Sequence, residues 1–300
     1  MNRHRIHGGI ACPIGPTGAT AVAEPGVPGL VSTVMPIFNP RTSEVAAAVE
    51  SVLSQTWSEW ELLLLDESTE AKVQDLLLAY TERDSRVKYY SIRDGRGYVA
   101  CLNAGVAMAR GEFIARMDAD DIAYPRRFEK QLRFLQSHPE VGVVGSAVMK
   151  IDSDGRAMGL RRFPLESAAI RQHMGLWNAM EHPTVVVRRS AFAAAGSYDG
   201  SVDVEDYELW RRFLRAGIVM ANLPEPLLQY RIPTSNEGFR RGRHWRSNLV
   251  VKCRYFDWRH PVVCLCGVVV TTAMWLAPAG LQAWAHGLVR HIKFHDVEDS

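Results

Sequence analysis

Between residues 31 and 117 the chain repeats one unit: a short, nearly unbroken apolar run, a polar crest, then apolar residues at helical spacing. Residues 31–37 are followed by Val45, Val49, Val52 and Leu53; residues 61–65 precede a helical pattern over 73–80; residues 87–92 precede one over 99–109; and residues 113–117 supply a fourth run. Such short apolar runs read as buried strands. Strands alternating with helices need crossover connections, which give a mostly parallel sheet with helices on both faces. Ligands in such sheets bind beyond the carboxyl ends of the strands. There the chain places Phe38-Asn39-Pro40, Asp66-Glu67-Ser68, Asp94-Gly95-Arg96-Gly97 and Asp118-Ala119-Asp120-Asp121, so carboxylates stand on every crest but the first.

Past Asp121 the pattern loosens. Phe128, Leu132 and Leu135 mark one more helix, residues 141–151 and 156–163 read as strands around an Asp154-Gly155 turn, and 183–187 as another strand. Residues 205–216 form an amphipathic helix with Leu209, Trp210, Phe213 and Leu214 inward, stopped by Gly217, and 227–231 close the globular part. With 47% hydrophobic and 23% charged residues the chain is neither disordered, collagenous nor a coiled coil. Its net charge of +2 argues neither for a nucleic-acid coat nor for an acidic solvating chain, so any recognition of a polyanion has to be local. Cys12, Cys101, Cys253, Cys264 and Cys266 are scattered without metal-ligand spacing, which reads as a reducing compartment with no structural zinc.

The two ends differ from this middle. Residues 1–30, rich in Gly and Pro, are expected to be a disordered leader; Arg3 and Arg5 precede no unbroken apolar stretch of the kind a secretion signal needs. Residues 31–233 are expected to be the catalytic domain, and 234–300 a basic linker followed by a hydrophobic, membrane-associating helical tail. Residues 261–285 carry no charged side chain, which reaches the length of a bilayer span. Pro278, Gly280 and Gln282 would divide it into a buried helix and an interfacial one, and a helical hairpin packed on the body is the other reading. Arg240, Arg241, Arg243, Arg246, Lys252, Arg254 and Arg259 outnumber Glu237 and Asp257 just upstream, a charge suited to anionic lipid or to a diphosphate.

Three carboxylates clustered at Asp118, Asp120 and Asp121 repel one another unless a cation compensates them, whereas helix capping needs only one. A hard divalent ion, Mg²⁺ or Mn²⁺, bridging to phosphate oxygens fits this pattern. Asp66 and Glu67 are placed to accept hydrogen bonds from a nucleobase or ribose, or simply to solvate a turn. Arg93, Arg96 and Gly97 make a flexible basic loop that either touches phosphate or is simply exposed. The run Asp203-Val204-Glu205-Asp206-Tyr207-Glu208 holds more acids in one turn than a helix dipole explains. His182 reads as a structural histidine, and Trp177 and Asn178 as contacts for an acceptor sugar.

Taken together, several segments resemble the family 2 inverting glycosyltransferases of the GT-A fold. They are Val34-Met35-Pro36-Ile37-Phe38-Asn39, Ser54-Gln55-Thr56-Trp57 before Trp60-Glu61-Leu62, Asp66-Glu67-Ser68-Thr69, Leu102-Asn103-Ala104-Gly105, the run from Gly111 to Asp121 with Pro125-Arg126-Arg127, and Glu205-Asp206-Tyr207-Glu208-Leu209-Trp210. The resemblance implies an α/β fold with a mixed, mostly parallel sheet flanked by helices. It also implies a nucleotide-diphospho-sugar donor, a UDP-sugar foremost, and a glycan or lipid-linked acceptor, with no nucleic acid. Pro36 and Phe38 would line the base, Glu67 would face the uracil or its equivalent and Asp118 would approach the ribose; Asp66 and Arg96 are further candidates for the donor. Asp118 and Asp120 would hold Mn²⁺ or Mg²⁺, and Asp206 would be the catalytic base with Glu205 beside it. The second crest departs from the family's usual Asp-Asp-Gly-Ser. The Gln-x-x-Arg-Trp segment of polymerising synthases is replaced by Arg240-Arg241-Gly242-Arg243-His244-Trp245, so transfer of one sugar is expected, in bacterial cell-surface polysaccharide biosynthesis at the cytoplasmic face of the inner membrane. The rivals are a non-catalytic nucleotide-sugar-binding scaffold at the membrane and a sugar-nucleotide nucleotidyltransferase; the latter needs a Gly-rich phosphate loop that the first crest lacks.

Overall fold

A computed structural model of the chain describes residues 10–11, 25–92, 97–232, 241–278 and 280. Arg93, Arg96, most of the expected leader, and residues 281–300 of the expected tail lie outside these.

The four repeating units form as the periodicity predicts. After a two-residue strand β1 (Ile10–Ala11) come β2 (Val27–Ile37), α1 (Thr42–Leu53), β3 (Trp60–Asp66), α2 (Ala71–Arg83), β4 (Val87–Ser91), α3 (Tyr98–Met108) and β5 (Gly111–Arg116). These strands lie side by side in the order β1-β4-β3-β2-β5, all parallel. Every residue of β3 is buried, as a strand covered on both faces requires. Alternate side chains part to opposite faces: Val34, Leu63 and Leu65 join the core under α3, while Met35, Leu62 and Leu64 join the core under α1 and α2. Each fully buried aliphatic side chain of this kind stabilises the fold by roughly 1.5–3 kcal/mol. α3 approaches β2 so closely that a Cβ on Gly105 would run into the Val34 side chain.

The remaining elements extend the sheet and make it mixed. They are β6 (Ile122–Ala123), α4 (Arg127–Ser137), β7 (Val141–Ile151), β8 (Ala157–Arg161), α5 (Ser167–His173), a 3-10 turn (His182–Thr184), β9 (Val186–Arg188), α6 (Arg189–Ala195), α7 (Glu205–Arg215) and β10 (Val219–Arg231). β9 inserts antiparallel between β5 and β7, β10 runs parallel to β7, and β8 folds back on β7 as the expected hairpin. The sequence predicts only the last residues of β10, because Pro224 and Pro226 interrupt its apolar pattern; the strand accommodates them through register shifts around Pro226. Pro183 likewise turns the start of the expected 183–187 strand into the 3-10 turn, and the strand begins at Val186.

Both ends depart from expectation. β2 starts at Val27, inside the expected leader, because Val27 N donates to Arg110 O at 2.8 Å and Gly29 is held by Glu112 and by the Trp57 indole. The expected basic linker contains a helix, α8 (Arg241–Arg254), whose Trp245, Val251 and Lys252 are buried. α9 (Pro261–Leu276) follows, 16 residues long. No helix among the described residues is long and apolar enough to cross a membrane.

Candidate active site

Strand register sets the crests side by side. Ile37 lies opposite Asp66, and Val34 lies between Leu63 and Arg116, so Phe38, Glu67 and Asp118 each leave a neighbouring strand end. Asn39, held at a φ of 42°, ties the first two crests together: its amide donates to Ser68 Oγ at 3.0 Å and its Oδ1 accepts from Thr69 N at 2.9 Å. Pro36 is buried at the end of β2, whereas the Phe38 ring beyond it is 72% exposed and available for stacking. Asp66 is buried and engages Ser68 N at 2.8 Å and Tyr89 Oη at 3.0 Å, so it braces the crest. Glu67, half-buried, accepts from Gly97 N at 3.0 Å, reaching the first residue of the third crest past 93–96.

The turn after β5 gathers three acids at the end of its strand. Asp118, Asp120 and Asp121 bring carboxylate oxygens within 4.8 Å of one another. Asp118 ion-pairs with Arg116, which also donates to the Tyr98 hydroxyl. Asp121 is fully buried; its Oδ1 accepts from Arg231 N at 2.8 Å, while its Oδ2 has no partner among the described residues. Arg231, the last residue of β10, also donates through Nε to the Asp120 carbonyl at 2.9 Å and through Nη1 to Asp152 O and Ser153 O. Burial first, and the Asp118 charge second, push the Asp120 carboxyl up to about 6; the same two causes with Asp120 added push Asp121 well above the usual carboxylate range. Three oxygen donors, one of them buried and unpartnered, match the hard ligand set that Mg²⁺ and Mn²⁺ take.

A second acidic pair stands at the first turn of α7. Asp206 Oδ2 accepts from Asn178 Nδ2 at 2.8 Å, and burial followed by the Glu205 charge raises its carboxyl to about 7. Burial also raises Glu205, and the Asp118 charge adds to it. The Arg116 guanidinium opposes the rise at Asp120, Asp121, Glu205 and Asp206 alike. Two acidic stretches some ninety residues apart in sequence thus share one electrostatic field centred on a buried arginine. The other acids of the α7 run have separate duties: Glu208 binds Arg212 and the Tyr255 hydroxyl, and Asp203 pairs with Arg243 at 3.1 Å.

Several residues of the sequence motifs prove to be braces. Gln55 links Tyr124 O to Phe128 N, Asn103 holds Ser197 and Tyr198, and Arg127 donates to the Arg116 carbonyl at 2.8 Å. His182 is buried against Tyr198 Oη at 2.9 Å and kept neutral by burial and by Arg116, as a structural histidine should be. Trp177 lies under the Lys252 ammonium, 5.7 Å from the ring centre, and Asn178 orients Asp206. Sequence reasoning assigned no role to Arg116, Tyr98 or Arg231. The available signal was a charge inside an otherwise apolar strand, Phe113-Ile114-Ala115-Arg116-Met117, where an unpaired guanidinium would be costly.

A mixed, mostly parallel sheet with an acidic turn at the end of a central strand defines the GT-A class of glycosyltransferase folds. Residues 32–194 match the model of glycosyl transferase family 2, and the chain belongs to this family. It is 33% identical over 217 residues, 71% of this chain and 80% of the relative, to the amylovoran biosynthesis glycosyltransferase AmsE of Erwinia amylovora. In fold it is similar to residues 1–349 of S. aureus TarS in complex with UDP-GlcNAc, with a TM-score of 0.65 at 13% identity, covering 84% of this chain and 77% of that one. A longer TarS chain is covered over 43% of its length. The mannosyltransferase PcManGT of Pyrobaculum calidifontis, in complex with GDP-Man and Mn²⁺, matches at a TM-score of 0.60 and 14% identity, over 88% of this chain and 81% of that one.

Proposed function

We propose that the chain transfers a single hexose, with inversion at the anomeric carbon, from a nucleotide-diphospho-sugar to a glycan or lipid-linked acceptor. The setting is bacterial surface-polysaccharide assembly at the cytoplasmic membrane face. The observation that supports this reading is a chain of acidic influence: the Asp118 charge raises Glu205, Glu205 raises Asp206, and Asp118, Asp120 and Asp121 gather carboxylate oxygens within 4.8 Å of one another. The solved neighbours bound to UDP-GlcNAc, or to GDP-Man with Mn²⁺, support a nucleotide-sugar donor, and the part of AmsE in amylovoran biosynthesis supports a polysaccharide product.

In this reading the base, uracil foremost, stacks on Phe38 over Pro36 and meets Glu67, with Asp66 fixing the crest and Arg96 adding positive charge. Asp118 approaches the ribose. A divalent cation, Mn²⁺ or Mg²⁺, held by Asp118 and Asp120 with Asp121 behind them, would offset the charge that builds on the leaving diphosphate. Asp206, oriented by Asn178, takes the proton of the acceptor hydroxyl as its oxygen attacks the anomeric carbon. The bond from that carbon to the diphosphate breaks with its electron pair on the phosphate oxygen, and one displacement inverts the centre. Glu205 raises the proton affinity of Asp206 and so strengthens it as a base.

The test is transfer and donor binding by the purified chain beside Asp206→Asn and Asp120→Ala. Asp206→Asn should keep donor affinity and lose about 10²–10⁴-fold in turnover, while Asp120→Ala should lose the metal-dependent part of donor binding. Unchanged turnover in both variants would leave the reading without support.

A further inference from the structure

Away from the acidic crevice, the end of α7 and the loop between α8 and α9 enclose a cleft of about 670 Å³ lined by Arg171, Arg211, Arg215, Arg254 and Arg259, with Asp257 as its only acid. Some of this charge has local work. Arg171 donates to Leu214 O at 2.8 Å and pairs with Asp257 at 3.2 Å, Arg211 donates to Tyr255 O, and Arg254 pairs with Asp199 at 3.1 Å. These contacts cap the carboxyl end of α7 through Arg171, meet the carbonyl just past α8 through Arg211, and tie α8 to the loop before α7 through Arg254. They leave Arg215 and Arg259, both exposed, without an ion pair among the described residues: Arg215 makes a long 3.4 Å bond to Arg254 O and lies 5.9 Å from the Tyr255 ring centre, and the Arg259 guanidinium has no partner there. Five guanidiniums against one carboxylate leave the cleft strongly positive in a chain whose net charge is only +2.

The cleft opens onto an apolar surface. Trp258, in its wall, is 81% exposed, and the next turns of chain continue with Val262 at 72%, Leu265 at 58% and Val269 at 59%. On α9 the exposed Val262, Leu265, Val269 and Leu276 fall on one stripe at helical spacing, while Cys264, Gly267 and Thr271 face the body. Gly267 packs on the Gly175–Leu176 backbone with no room for a Cβ, and buried Lys252 binds Leu176 O at 2.7 Å, so α9 is fixed to the domain by one side and bare on the other. A contiguous bare apolar stripe beside a positive cleft is the pattern of a surface that enters the interfacial layer of a bilayer while basic side chains hold the headgroups.

We propose that the arginine cleft is a binding site for the phosphate of an anionic lipid headgroup, seated while Trp258 and the outer stripe of α9 enter the interface. The proposal rests on the reading that the chain works at a membrane face, and adds to it a specific headgroup site. Docked this way, the domain lies on the bilayer instead of spanning it.

The test is co-sedimentation of the purified full chain with vesicles of phosphatidylcholine alone and of phosphatidylcholine mixed with phosphatidylglycerol, at low and high salt, with Trp emission followed. The expected result is binding to the mixed vesicles, weakened by salt, with a blue shift lost in Trp258→Ser. Arg215→Ala with Arg259→Ala should lower vesicle affinity roughly thirtyfold, at the usual contribution of each basic residue near a charged surface, with melting temperature and turnover of soluble donor unchanged. Leu265→Ser with Val269→Ser should weaken binding to both kinds of vesicle. Equal binding of the arginine variant and the wild type would overturn the headgroup site while leaving membrane docking intact. No binding to either vesicle, together with a dimer in solution that Leu265→Ser dissociates, would overturn both in favour of a second copy on this face. Stabilisation by inorganic phosphate without vesicle binding would overturn the lipid as the source of the anion.

Discussion

The guanidinium of Arg116 and the carboxylate of Asp118 form an ion pair where β5 gives way to the acidic turn, with the arginine side chain 6% exposed and the aspartate 29%. In extended chain, residues two apart share a face, so the pair is a direct product of strand geometry. The arginine pairs with Asp118 and its charge acts on Asp120, Asp121, Glu205 and Asp206 as well; burial opposes its own charge, and Asp118 and Tyr98 together outweigh that.

Removing that counterion strands buried negative charge. Arg116→Met should destabilise the metal-free chain by about 3 kcal/mol, near the cost of breaking a buried pair from one side. Urea unfolding with and without Mn²⁺ checks this, and Mn²⁺ should restore part of the loss. A variant as stable as wild type would mean that the acids relax apart without help.

The rate of transfer should rise with pH through about 7 and then level. Burial and Glu205 hold the proton on Asp206 up to about 7, and only the ionised form accepts a proton from the acceptor. Glu205→Gln removes the larger of the two charges that raise Asp206, Glu181 being the other, so the variant's pH–rate limb should move to lower pH. A limb that stays in place would assign it to another group.

Metal-dependent stability should depend on pH in the opposite sense to that of the bare site. Asp120 rises from 3.8 to about 6 on folding, so across that window the native state holds more protons than the unfolded one, and the metal-free chain loses stability as pH climbs. Asp121 acts in the same direction. Mn²⁺ binds the ionised oxygens, so its effect on melting temperature should be small near pH 5 and large near pH 8; at a hundredfold excess over the dissociation constant it amounts to about 2.7 kcal/mol. Differential scanning fluorimetry across pH, with Asp120→Asn as the control, decides the point.

Core packing under the site is open to a double-mutant cycle. Gly105→Ala drives a methyl into Val34 and should cost about 1–3 kcal/mol. Val34→Ala should recover part of that in the double variant, since the two side chains are in contact. Additive losses measured by denaturant unfolding would mean that α3 shifts as a body instead.

The parallel half of the fold was legible because its signal is local: runs such as Leu62 to Leu65 have no polar face, and each crest follows its strand at once. The same logic exposed Asp118 and Asp120 as candidates, while Asp206 stood out by the crowding of acids at a helix start and by the family resemblance. Less legible were features made by distant partners. β10 is hidden by its prolines and exists because β7 pairs with nearly its whole length. Arg116 sits inside the Gly111–Asp121 segment without a role of its own in the sequence, and that role follows only from its contacts with Tyr98 and Asp118 and its charge on Glu205. Asn178 was readable as a polar residue near an acceptor, but not as the donor that aims Asp206. At the carboxyl end, residues 241–254 looked like a basic linker because charge hid the helical spacing of Trp245, Val251 and Lys252.

Arg231 closes β10 and fastens both the Asp120 carbonyl and the Asp121 carboxylate, yet it lies well past residue 194, where the family match ends. A fragment cut at that match would keep all three aspartates and lose the bolt that shapes them, along with Glu205 and Asp206. The smallest piece of this polypeptide that keeps the acidic turn in its present shape therefore has to run through β10, and the order of the turn becomes a readout of whether that strand has docked.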